Sequence, residues 1–161
     1  MEITSMAIKK GIAMEVNASE VMSRLYRVGD RVQKHSVDVM RRYAARVERL
    51  AKLNVPVQDF HVEDSIVTQE KRSGMNRRIE ITVGVDEGLL REYSGQDYDY
   101  SIWLHEADYN LSKLSEYKDS ISRSEDPKAK VGNKYLENAL NSVRNDAIAE
   151  TRREVKRQIK G

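Results

Sequence analysis

Three histidines supply the imidazoles of this chain, and each needs a neighbour before it can act as a base or hold a metal. In His61-Val62-Glu63-Asp64 and His105-Glu106-Ala107-Asp108, carboxylates stand beside the ring. That is the composition of a general base or a metal ligand set. Neither stretch has the two histidines four apart on a helix with which zinc peptidases hold their ion. A two-histidine site joining His61 to His105, serving a small metal-dependent hydrolase, is the remaining metal reading. His35 falls three residues after Val32 and four before Val39, on an apolar stripe where a packed histidine is the ordinary outcome. The absence of cysteine excludes disulfide scaffolds, Cys-ligated zinc, iron–sulfur clusters and thiol catalysis. No serine sits in a G-x-S-x-G elbow, and the glycines form neither a phosphate-binding loop nor a dinucleotide fingerprint. These residues predict no catalysis, no cofactor and no bound metal.

Charge is the stronger pattern. A net charge of +2 conceals three blocks. Residues 17–54 carry nine Lys/Arg against four Asp/Glu, and residues 127–161 again nine against four. Residues 86–126 carry four against eleven. Arg41, Arg42, Arg46 and Arg49 cluster in the first block, and Arg152, Arg153, Lys156, Arg157 and Lys160 in the last. Such clusters can grip phosphates, which gives a basic nucleic-acid-binding module as one reading. They can equally face the acids of their own chain or of identical neighbours. Six of the ten aromatic residues, Trp103 among them, lie in the acidic block, where stacking on nucleic acid would want cationic neighbours. They read as core and interface material. The candidate subunit-interface set is Arg41, Arg42, Arg46, Arg152, Arg153, Arg157 and Trp103, with Tyr135 outside the acidic block.

At 161 residues the chain fits one domain, with 39% hydrophobic and 34% charged residues and a mean hydropathy of −0.70. No apolar run approaches the roughly 20 residues that a membrane helix needs, and the N-terminus lacks the order of a signal peptide, so no membrane partner is expected. Residues 1–16 read as an arm or short strand. Asn17 and Glu20 resemble a capping box, and Val21, Leu25, Val28, Val32, Val39, Tyr43, Val47 and Leu50 share a helical stripe. The spacing predicts one helix from Ala18 to Leu53, long enough for one end to project or to pack on a neighbouring subunit. Asn54-Val55-Pro56 ends it. Strands over 60–70 and 77–85, joined by a Gly74 turn, make a hairpin in which Ile79, Ile81, Val83 and Val85 alternate with polar residues. Residues 100–105 suit a strand or the start of a helix. Residues 110–130 are so polar that they read as a long loop, and a last helix covers 133–160. The expected fold is α+β, with two long helices packed on a small antiparallel sheet.

In chain order, four pieces resemble the tail-completion (head–tail joining, neck or minor tail component) proteins of tailed bacteriophages. The first is the helix end Ala51-Lys52-Leu53-Asn54-Val55-Pro56, matching Ala-x-x-x-x-Pro. Val62-Glu63-Asp64-Ser65-Ile66 is similar to the Leu-x-x-Ser-Ile strand opening. Tyr100-Ser101-Ile102-Trp103-Leu104-His105-Glu106 is similar to Tyr-Ala-x-x-x-Glu with one extra residue. Gly132-Asn133-Lys134-Tyr135-Leu136-Glu137-Asn138-Ala139-Leu140 matches the Gly-x-x-Phe-Leu-x-x-Ala-Leu opening of the last helix. Gln58-Asp59-Phe60-His61 stands where the family commonly has Thr-Gly. The resemblance implies a virion structural protein without catalysis or cofactor. It would form a homo-oligomeric ring, of six or twelve copies, at the head–tail junction, after assembly in the host cytoplasm. Its partners would be other neck and tail proteins, and DNA would pass through the lumen without specific binding. A tail terminator ring is the near alternative. A lumen that must not hold DNA points to the acids Asp97, Asp99, Glu106 and Asp108 as its lining.

Overall fold

The computed structural model describes residues 18–57, 61–74, 78–94 and 98–160, so the arm expected over 1–16 lies outside the described residues. The architecture is α+β and mostly helical, with one small two-stranded antiparallel sheet. Helix α1 (Ala18–Asn54) is the spine, about 55 Å long at roughly 1.5 Å per residue. Its stripe residues Val39, Val47 and Leu50 are buried, as is Ala51 beside them. Past Pro56 come a short helix α2 (His61–Ser65), strands β1 (Ile66–Ser73) and β2 (Arg78–Val85), and helices α3 (Glu87–Ser94), α4 (Tyr98–Glu106), α5 (Lys113–Glu125) and α6 (Tyr135–Lys160).

The first strand begins later than the sequence suggests. Val62, Ser65 and Ile66 are all buried at helical spacing, and the Ser65 hydroxyl donates to the Val62 carbonyl at 2.8 Å, so a helical turn replaces the first half of the expected strand. Strand β1 then runs to Ser73, in register from Ile66 opposite Val85 to Ser73 opposite Arg78. Asp86 precedes helix α3 and caps it, its Oδ1 accepting the Leu89 N–H at 3.0 Å. The ambiguous stretch 100–105 is helical, within α4.

The expected loop over 110–130 is largely a helix. Ser112 caps α5 by accepting the Ser115 N–H at 3.2 Å, and Ser115 and Ser122, seven apart and so on one face, are buried. These serines do not dock through apolar area. Ser122 Oγ donates to the Leu53 carbonyl at 3.1 Å, and Ser115 Oγ accepts the Val57 N–H at 3.0 Å. Lys118 Nζ reaches the Lys52 carbonyl at 3.0 Å and Glu63 at 2.5 Å. The last carbonyls of α1, which have no partner inside their own helix, are thus satisfied from α5, with a cation at the negative end of the helix dipole.

Asn54 fastens the same junction. Fully buried, it accepts the Lys130 N–H on Oδ1 at 2.7 Å and donates from Nδ2 to the Tyr135 carbonyl at 3.4 Å. Gly132, at φ 153°, lets the chain bend back so that its N–H reaches the Asn54 carbonyl at 3.0 Å. Helix α6 then runs antiparallel to α1. Tyr43 Oη donates to Glu150 at 2.8 Å, Arg42 pairs with the same carboxylate, and His35 Nδ1 stands 3.6 Å from Glu154. Thus α1 carries the hairpin and α6 packs along α1. Leu50, Val55, Val62, Ile66, Leu90, Leu104, Tyr135, Ala139 and Val143 belong to one continuous core.

Candidate interaction surface

Helix α6 is apolar over more of its circumference than α1 can cover. Val143 is buried, yet Leu140 is 51% exposed and Ile148 is also exposed. They form one wall of a groove of about 720 Å³, whose other walls are Met40 and Val47 of α1 and Ile81 and Val83 of β2. Its rim carries Glu80 and Glu137 as well as Arg144. A second hollow of about 460 Å³, between β2, α4 and α6, adjoins the first through Thr82, Val83, His105 and Leu136. The sheet has two strands, so the edge of β2 away from β1 has no strand partner among the described residues.

His105 stands at the junction of the two hollows. Its Nδ1 is 2.6 Å from Glu106 Oε1, its ring meets Tyr135 edge-on at 4.9 Å, and its buried Nε2 has no hydrogen-bond partner among the described residues. His35 is partly buried beside Glu154. The side chain of His61 is not among those described. Among the described residues, no group of three or more His, Asp or Glu side chains is placed to hold a metal ion.

The arginines expected at subunit contacts are mostly engaged within their own chain. Arg41 makes a two-point contact with Glu70, at 2.8 and 2.9 Å, and also meets Asp38 at 3.2 Å. Arg72 joins the same Glu70 carboxylate at 2.8 Å. The hydrogen bonds from Arg41 and then Arg72 pull the Glu70 pKa down to about 2. Arg46 faces Asp146 at 4.0 Å, and Arg157 pairs with Glu154 at 2.7 Å. Hydrogen bonds from Tyr43 and Arg42 lower the pKa of Glu150, with Arg153 adding to the favourable field. Arg152 is exposed on α6. The acids that answer the basic helices thus lie mostly on β1, on α6 and on α1 itself, and the acidic block contributes Glu125, 3.9 Å from Arg49.

Of the proposed lumen acids, Asp97 lies outside the described residues, and Asp99 belongs to α4 with its side chain undescribed. Glu106 is exposed beside His105, and Asp108 is exposed and accepts Asn133 Nδ2 at 2.9 Å. Trp103, half exposed, stacks between Tyr100 at 6.2 Å and Tyr109 at 5.8 Å. Burial raises the Tyr109 hydroxyl to about 12. Tyr135, expected at an interface, is instead 1% exposed at the centre of the core, so it offers no surface.

Leu114, Tyr117 and Ile121 are exposed along α5, and the N-terminal end of α1 is a further uncovered apolar surface. Ile159 and Lys160, at the end of α6, lie against Arg24, Arg27, Val28 and Arg31, so α1 continues past the partner that covers its stripe. Val21, Met22, Leu25 and Tyr26 are exposed there, Leu25 at 61%. The stripe that predicts the helix also marks this end. The groove is not legible in that way, because nothing in the α6 periodicity separates Leu140 from Val143. No described helix is long and apolar enough to cross a membrane. No family model, curated protein or solved structure matches this chain.

Proposed function

We propose that this chain is a structural subunit that assembles with copies of itself, as a neck or head–tail joining ring of a tailed phage. The observation that carries self-assembly is the uncovered apolar surface, in the groove beside α6 and on the projecting end of α1. Monomeric soluble proteins rarely leave large contiguous apolar patches in water, and such patches mark docking sites. The phage assignment rests on the four-part resemblance. Its matched positions Ser65, Ile66 and Tyr135 are core residues, as suits a fold signature rather than a reaction centre. In this reading the subunit belongs to the head–tail junction of the virion. Acids such as Glu106 and Asp108 line a channel that must let DNA slide, because each phosphate neutralised by a cation would add hold.

A nucleic-acid-binding module draws less support, since Arg41, Arg42 and Arg46 already face carboxylates of their own chain. Electron microscopy of the purified full chain, beside a gel-shift titration with duplex DNA, tests the reading. Closed rings of six or twelve copies that leave DNA unshifted are expected. A dispersed monomer that retards DNA would overturn it, and a channel wall made by Arg152, Arg153 and Arg157 would invert the lumen assignment.

A further inference from the structure

Two of the uncovered apolar surfaces, the α1 tip and the groove, differ in shape, and the difference points to how copies meet. One is convex: the α1 tip, with Val21 and Leu25 one helical turn apart and Met22 and Tyr26 likewise. The other is concave: the groove, floored by Val47 and Val143 and walled by Met40, Leu140 and Ile148. An amphipathic helix laying its apolar anchors into an apolar groove is a common recognition mode. The charges also fit. The tip carries exposed Arg24 and Arg27, and the groove rim carries exposed Glu80 and Glu137. Arg24 meets Glu20 of its own helix at 2.5 Å, Glu80 lies 3.9 Å from Arg78, and Arg144 is the one lining residue of the groove that opposes the match.

The tip cannot fill the groove of its own chain. Leu25 and Met40 belong to the same unbroken helix and are held about 22 Å apart along its axis at roughly 1.5 Å per residue. From these observations we infer that the α1 tip of one copy docks in the α6–β2 groove of the next. Such a contact joins two different patches, so it is head-to-tail, and it propagates from copy to copy, giving a ring where the rotation between copies closes. The inference rests on the self-assembly reading above and names its contact.

The test uses the full chain and two variants at exposed positions, Leu25→Asp on the tip and Leu140→Arg in the groove, with circular dichroism confirming the fold. Solution mass is measured for each alone and for an equal mixture. The wild type is expected to be oligomeric and each variant monomeric. The mixture should form a one-to-one pair of about twice 18.6 kDa, because one intact tip and one intact groove remain. An oligomer that survives Leu25→Asp, or a mixture that stays monomeric, overturns the tip-to-groove contact while leaving self-assembly standing. A wild type that is monomeric at every concentration overturns the assembly reading and this contact with it.

Discussion

The two ends of α1 invert the usual relation between polarity and burial. At its C-terminal end, polar side chains are buried: Asn54, Ser115 and Ser122 are each 1% exposed or less. At its N-terminal end, apolar side chains stand in water: Val21, Met22, Leu25 and Tyr26. Burial at the first end is set by hydrogen-bond satisfaction, because helix termini leave carbonyls that an adjoining element can answer. At the second, the described end of α6 lies against Arg24, Arg27, Val28 and Arg31, and nothing described covers Val21, Met22, Leu25 and Tyr26. Polarity alone therefore misjudges both ends. One is a completed junction and the other an uncompleted one.

Substitutions can break this contrast in graded steps. Tyr135→Ala, in the core beside the junction, should cost the most, about 3–5 kcal/mol, as large aromatic truncations do. Asn54→Ala should follow at about 1–3 kcal/mol, since it removes the acceptor of the part-buried Lys130 N–H and the buried tie to the start of α6. Ser122→Ala, which orphans the Leu53 carbonyl, should cost about 1–2 kcal/mol. Chemical denaturation ranks all three. If Ser122→Ala is neutral, α5 is held by something other than its buried hydroxyls. Leu25→Asp, by contrast, should leave the stability of the isolated subunit within about 0.5 kcal/mol, because it removes no contact from the core.

Acid probes the ion pairs between these ends. Folding lowers the pKa of Glu70, to about 2, and also those of Asp146, Glu150 and Glu154, by hydrogen bonds from Arg41, Lys128, Tyr43 and Gln158 respectively. Their contribution is present above the ordinary carboxylate range, near 4.5 for Glu, and is lost as pH falls toward about 2. Thermal melts should therefore drop across that window, with a shallower fall in Glu70→Gln. The effect should be modest, since these pairs lie near the surface.

The same contrast explains how much the sequence discloses. Periodicity finds α1, β2 and α6 because their buried positions are apolar and regularly spaced. It misses α5, where the buried positions are Ser115 and Ser122 and the docking force is hydrogen bonding to Leu53 and Val57. It places β1 too early because Val62, Ser65 and Ile66 pack as a helical turn. Tyr135, expected at a subunit interface, fills the core instead. Periodicity finds the projecting tip, because a helix of 37 residues outruns any small core. It does not find the groove, which exists only once β2 and α6 stand on either side of α1.

The claim that these apolar surfaces are covered by a second copy is tested most directly by oxidative footprinting of the wild-type chain across its assembly range. Met22 on the tip and Met40 in the groove are exposed probes, and Tyr117, 68% exposed on α5, is the control. Met22 and Met40 should lose reactivity together as the solution mass rises above 18.6 kDa, with Tyr117 unchanged. Undiminished oxidation of both methionines in the assembled state, or protection that falls on Tyr117 instead, would contradict it.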